Sequence, residues 1–303
     1  GKNSFSINSM FTQDSGSMQH ITVLYENGIK RIEKNGKKIQ DRKELINTIP
    51  SVLFCHDDLQ FAIGNPESRR FFLDQSLTMY DELYIDDLRN YHKVLKSRNM
   101  MLKEMKYNML DIYDIQLAKN GLEIQRKRKN AVFEFNQIFG KLYEQISGIS
   151  GVSILYEPSW KEIPDGISTR FPDENDVLAV LAQKRDQDKI MTTTMSGPHR
   201  DRVVFMHENR QFIPGASTGQ RRLVALLLRV AQAVYYTRIT NTKPVLLMDD
   251  VMLELDPDKR QQMTSMLPEY NQLFCTFLPG EPYERYKHST TRIYQIEKGE
   301  WHE

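Results

Sequence analysis

Apolar and polar positions alternate in three distinct ways along this chain. Residues 21–25, 29–33 and 37–39 are short strand-like runs separated by Asn27-Gly28 and Asn35-Gly36, and Asn-Gly supplies the positive φ of a type I′ turn, so an antiparallel meander is expected. The preceding residues 1–20 are polar and lack apolar periodicity, which reads as loop. Residues 49–54 read as a buried strand. From residue 80 to about 147 the period changes: Leu88, Tyr91, Leu95 and Asn99, then Leu102, Met105 and Met109, recur at three and four residues without proline, predicting two long antiparallel amphipathic helices. Residues 152–156 form a further strand, 175–188 a shorter helix, and 203–213 a hairpin. Residues 220–232 are apolar nearly all round, as in a core helix. Residues 244–248 are a near-continuous apolar run, the pattern of a parallel strand buried on both faces.

Two places on this frame carry chemistry. Ser217-Thr218-Gly219-Gln220 opens the core helix with a hydroxyl in the cap position and a glycine that admits close approach, so its N–H groups and dipole favour an anion such as phosphate. Asp249 and Asp250 end the buried strand, where α/β sheets place their ligands. One carboxylate there can hold Mg²⁺ and its neighbour can orient or deprotonate a water. Each has a plainer reading, an ordinary helix cap and an ordinary strand end. The continuation into Leu253-Glu254-Leu255-Asp256-Pro257, a second acidic turn before a helix, favours the chemical one. Ser196-Gly197-Pro198-His199-Arg200-Asp201 forms a compact polar knot whose residues read better as a structural hydrogen-bond network than as catalysts.

Composition narrows the partners. The 303 residues suffice for two cores, and 41 basic against 40 acidic residues leave no overall field for nucleic acid or membrane. A DNA footprint must be local, and the dense run Gln125-Arg126-Lys127-Arg128-Lys129-Asn130 reads either as a solvated helix face or as phosphate contacts. Cys55 and Cys275 have no metal-ligand spacing and suit a reducing compartment. With no apolar run of membrane-spanning length and no signal pattern, a soluble cytoplasmic protein is expected.

Taken in order and at this spacing, Ser217-Thr218-Gly219-Gln220, Asp249-Asp250 and Leu253-Glu254-Leu255-Asp256 resemble the signature motif, Walker B motif and D-loop of ABC-type ATPases of the SMC branch. With Pro66-Glu67-Ser68-Arg69-Arg70-Phe71-Phe72-Leu73-Asp74, residues 90–99 and residues 196–201, the pattern is similar to the RecF family over most of the chain. The resemblance implies an α/β ABC-ATPase-like head, a P-loop NTPase fold with a mixed sheet and an antiparallel β subdomain, plus an inserted helical lobe. The divisions expected are 1–78 for the first part of the ATPase lobe, 79–190 for the helical lobe with a short β excursion, and 191–303 for the rest of the ATPase lobe.

It also implies a bacterial recombination mediator: a slow DNA-dependent ATPase that binds ATP and Mg²⁺, dimerises on DNA at single-strand gaps, and acts with RecO and RecR to load RecA. Asp249 would hold Mg²⁺ and Asp250 would position the hydrolytic water. Ser217 with Gly219 would reach the γ-phosphate of ATP on the opposing subunit, and Thr218 and Gln220 would belong to the same nucleotide-binding motif. Asp256 would lie at the dimer interface, and Thr276 stands where many ABC proteins have a switch histidine. DNA contacts would come from Arg69, Arg70, Lys93, Lys96, Arg98, Arg126, Lys127, Arg128 and Lys129. The family opens with a strand, a Walker A loop and a helix, whereas here Gly1-Lys2-Asn3-Ser4-Phe5 resembles the segment beyond that helix. Weak ATP binding by the chain as it stands and an uncovered apolar sheet surface are the corresponding expectations. A DNA- or partner-binding scaffold that does not hydrolyse ATP is the alternative from another class.

Overall fold

The computed structural model describes all residues except 1–3, 13–15, 42, 47, 166–167, 252–254, 281–282, 288 and 303. Four antiparallel strands open the chain: β1 (Ser4–Thr12), β2 (Met18–Glu26), β3 (Ile29–Lys34) and β4 (Lys37–Lys38). Their turns are those the Asn-Gly pairs predict, with φ of 51° and 80° at Asn27 and Gly28 and of 52° and 75° at Asn35 and Gly36. β1 corrects the expectation of loop. It pairs with β2 along its whole length, Phe5 opposite Tyr25 and Ile7 opposite Val23. Its side chains are mostly exposed, so the backbone ladder rather than a buried face holds it, and no strong apolar alternation marks it in the sequence.

A short helix α1 (Lys43–Ile46) leads to β5 (Ser51–Phe54), which joins β11 (Val245–Met248) and β12 (Gln272–Cys275) in a parallel sheet of order β12-β11-β5. Between them come α2 (Leu59–Ile63), α3 (Pro66–Thr78), α4 (Glu82–Lys103), α5 (Leu110–Ser147), β6 (Ser153–Glu157), β7 (Ile163–Asp165), β8 (Ser168–Arg170) and α6 (Glu174–Met191). β9 (Arg202–His207), β10 (Arg210–Gln211), α7 (Phe212–Gly215) and α8 (Thr218–Thr240) come next. After β11 lie α9 (Pro257–Ser265), β12 and a last hairpin, β13 (Gln295–Glu297) with β14 (Glu300–His302).

The main core gathers Val52, Phe54, Leu246 and Met248 from one face of the parallel sheet, the apolar length of α8, and the second half of α5. Leu223–Ala233 of α8 is buried without interruption, the condition of a helix apolar all round. The sheet's other face corrects the expectation of burial on both sides. Leu53, Leu247 and Phe274 stand in one row across β5, β11 and β12, and Leu53 and Phe274 are 44% and 51% exposed, because the buried cluster with α8 takes only the opposite face.

The helical lobe has its own core, with Tyr84, Tyr91, Leu117, Leu122, Trp160, Val177 and Leu181 at its centre. Asp81 caps α4 by accepting the Tyr84 N–H, and Asp173 caps α6 by accepting that of Asp176. One helix contributes to both cores. The 38-residue α5 carries Leu117, Ala118, Leu122, Ile124 and Ala131 in the lobe core and then Val132, Phe135, Phe139, Leu142, Tyr143 and Ile146 in the main core. A rigid rod of this length, at 1.5 Å per residue, joins the two cores.

Candidate functional site

The carboxylates at the end of β11 are held by the strand beside them. Backbone pairing continues past the strand ends, with Asp249 N–H donating to Phe54 O at 2.9 Å and Thr276 N–H to Met248 O at 3.0 Å. The Thr276 hydroxyl then accepts from Asp250 N–H at 2.9 Å and donates to Asp249 Oδ1 at 2.9 Å. Three residues chosen from sequence for nucleotide and metal chemistry, Asp249, Asp250 and Thr276, are therefore one constellation at the carboxyl edge of a parallel sheet. Asp250 sits at φ 56°, a left-handed conformation that L-residues other than Asn and Asp rarely adopt. It turns the chain sharply and leaves both carboxylates exposed.

Ser217 caps α8 in a full capping box: its hydroxyl accepts Gln220 N–H at 3.2 Å and its own N–H donates to Gln220 Oε1 at 2.7 Å. Thr218 and Gly219 precede the first helical hydrogen bond, so the helix cannot pair their N–H groups. Both are exposed, and open space surrounds the position a Cβ would take at Gly219. The Ser217 hydroxyl keeps its own hydrogen to donate. These donors fit a phosphate oxygen. No hydrogen bond among the described residues joins this cap to the Asp249 constellation. Asp256 is exposed and caps α9, accepting Lys259 N–H at 3.0 Å and pairing with Lys259 Nζ at 2.7 Å, which holds its carboxyl below the usual range. Leu253-Glu254 of the D-loop-like stretch and the Gly1-Lys2 pair lie outside the described residues. Among the described residues no cluster of three His, Cys, Asp or Glu side chains could hold a metal. Asp249 and Asp250 are two exposed carboxylates side by side, and Mg²⁺ is commonly held by one or two carboxylates together with water and substrate phosphates.

The DNA candidates divide sharply. Arg98 is corrected: it is 0% exposed, bridging Asp114 at 2.6 Å and Asp188 at 2.7 Å and donating to Thr194 Oγ1 at 2.8 Å. Arg128 is corrected likewise, buried with two bonds of 2.8 Å to Asp74 and one of 3.1 Å to Asp201. Neither guanidinium reaches solvent, because each neutralises carboxylates that the fold buries. Arg69 and Arg70 are half-buried and spend donors on the Val203 and Asp201 carbonyls. Lys127 pairs with Asp81 and Asp87, Lys129 with Glu162, and Arg126 with Glu123 while packing over Phe171. Lys93 and Lys96 are exposed. The cations that sequence reasoning missed are on the meander: Lys30, Arg31, Lys37 and Lys38 are exposed, and none has an ion pair among the described residues. Their density within nine residues was the available signal.

The polar knot is a dense hydrogen-bond network. Asp201 is fully buried and accepts from Arg128, Gln125 Nε2 at 2.7 Å, Ser159 N–H at 2.7 Å and the Tyr156 hydroxyl; burial nonetheless pushes its carboxyl pKa up. His199 lies between the Tyr91 hydroxyl at 2.6 Å and Thr194 O at 2.9 Å. Burial lowers its pKa from 6.5 to about 4, so it is neutral at pH 7. A further buried pair, Arg229 with Asp58 at 2.7 Å, fixes α8 to the turn after β5; nothing in the local sequence pattern marks it.

No protein-family model matches the chain. The chain is 48% identical over 283 residues to the DNA replication and repair protein RecF of Treponema pallidum, covering 93% of this chain and 78% of that protein. Against the protein of the same name from Agathobacter rectalis it is 31% identical, covering 91% and 75%. A solved structure of the recombination mediator protein RecF with ATP, in the RecFOR pathway, superposes with a TM-score of 0.80 at 26% identity, over 92% of this chain and 76% of that one. The architecture is accordingly an ABC-ATPase-like head with an inserted helical lobe.

Proposed function

The chain belongs to the RecF family of DNA replication and repair proteins, and on that footing we propose that it serves as an ATP-dependent recombination mediator. In this reading two copies close on duplex DNA at single-strand gaps and act with RecO and RecR to promote loading of RecA. One observation carries it: the hydroxyl of Thr276 ties Asp249 and Asp250 into a single acidic edge, in the same chain as a helix start, capped by Ser217, whose Thr218 and Gly219 N–H groups the helix cannot pair.

Bound Mg²⁺ would neutralise charge on the phosphate oxygens, and Asp249 is the residue to hold it, through water. Asp250 orients the attacking water and takes up its proton. Thr276 positions the Asp249 carboxylate and the Asp250 backbone. Ser217, with the N–H groups of Thr218 and Gly219, donates to the γ-phosphate held by the opposing subunit, and Asp256 lies near the seam between subunits. Lys30, Arg31, Lys37 and Lys38, with Lys93 and Lys96, supply the phosphate contacts with DNA, which carry affinity without sequence preference.

The test is Mg²⁺-dependent ATP hydrolysis by the protein from the complete gene, beside Asp250→Asn. The variant is expected to bind ATP and lose turnover. Turnover equal to wild type would end the enzymatic reading and leave the non-hydrolysing scaffold.

A further inference from the structure

Between α2, α3, β9, α7 and the first turn of α8 lies a half-open cavity of about 240 Å³. Ile63, Val204, Phe205, Ile213 and Pro214 make its apolar wall, and Arg69 and Arg221 bring two guanidinium groups to it. Each arginine is anchored by one edge. Arg69 Nη1 donates to Val203 O at 3.1 Å and Arg221 Nε to Ile213 O at 3.2 Å. Neither forms an ion pair among the described residues, no carboxylate lines the cavity, and Arg69 Nε is buried without a hydrogen-bond partner. Two half-buried cations without a counter-ion are costly to hold, and an anion bound between them removes that cost.

We propose that this cavity captures the C-terminal residue of a partner protein, its apolar side chain in the cup and its α-carboxylate on Arg69 and Arg221. The volume falls below the roughly 300–1,000 Å³ of sites for drug-sized ligands and matches a single residue. An internal acidic residue beside an apolar one does not fit, because successive side chains of an extended segment point to opposite sides. A C-terminal residue carries both groups on one Cα. Bidentate guanidinium contacts recognise a carboxylate strongly and directionally. Arg221 stands two positions after Gly219, so an occupant here touches the helix whose cap faces phosphate in the proposed function, although the capture itself does not depend on that function.

The experiment is fluorescence anisotropy with a fluorescein-labelled peptide, Gly-Ser-Gly-Leu-Leu, carrying a free C-terminus. Binding is expected to weaken tenfold or more for the C-terminal amide, for the peptide ending in Ser-Ser, and for Arg69→Gln or Arg221→Gln. Arg221→Lys, which keeps the charge and loses the fork, should fall between. Equal affinity for acid and amide, or absence of binding at millimolar peptide, overturns the proposal. The peptide comparisons use unmodified protein, so misfolding of an arginine variant cannot produce either result.

Discussion

Replacing Arg98 with Met separates two opposed roles for one residue. The guanidinium is fully buried between Asp114 and Asp188 and also donates to Thr194. In Arg98→Met, Asp114 keeps Arg185 at 2.6 Å, but Asp188 is left with the Met195 N–H at 2.8 Å and no cation. Removing one member of a buried ion pair costs about 3–5 kcal/mol, because the other charge stays desolvated. For a chain of this length, at about 2 °C per kcal/mol, the melting temperature should fall by roughly 6–10 °C. Adding Asp188→Asn should restore part of the loss, since the stranded charge is then gone. The assay is thermal unfolding by circular dichroism, beside DNA affinity as a function of salt. A melting temperature within about 2 °C of wild type, together with a salt slope smaller by about 0.9, would refute the burial argument and make Arg98 a phosphate contact.

Three further outcomes rest on particular residues. His199 has a folded pKa of about 4 against 6.5, so the unfolded chain binds its proton first; its contribution is complete above pH 6.5 and is lost as pH falls towards 4, by about 3 kcal/mol in all. Subtracting the stability–pH curve of His199→Gln should expose that window. A Cβ at Gly121 would lie 2.5 Å from the buried Trp160 ring, so Gly121→Ala should destabilise by about 1–3 kcal/mol in denaturant unfolding despite alanine's better helix propensity. Replacing Lys30, Arg31, Lys37 and Lys38 by Ala should lower the salt slope of DNA binding by about 0.9 for each phosphate no longer neutralised, with the melting temperature unchanged.

The features legible in the sequence are local. The Asn-Gly turns, the Ser217 cap, the core helix and the strand ending in Asp249-Asp250 each arise from residues adjacent in the chain, and each stands where expected. The pairing of distant residues is hidden from such a reading. Arg98 with Asp188 and Arg229 with Asp58 lie 90 and 171 residues apart, and an arginine in a helical sequence looks the same whether it faces solvent or a buried carboxylate. Residue type alone therefore puts Arg98 and Arg128 on a DNA surface, and only the fold withdraws them. β1 is hidden for a related reason: its partner strand pairs its backbone without burying most of its side chains.

The central claim is a composite ATP site, Ser217 of one subunit facing Asp250 of the other. The direct test mixes two variants of the complete protein, Ser217→Arg and Asp250→Asn, each expected to be inactive alone. A symmetric pairing places both lesions in one site of the mixed dimer and leaves the other intact. Mixing should restore Mg²⁺-dependent ATP hydrolysis to at most about a quarter of wild type. Mixtures that stay inactive while mixed dimers form with ATP, or a Ser217→Arg variant that turns over normally by itself, would contradict it.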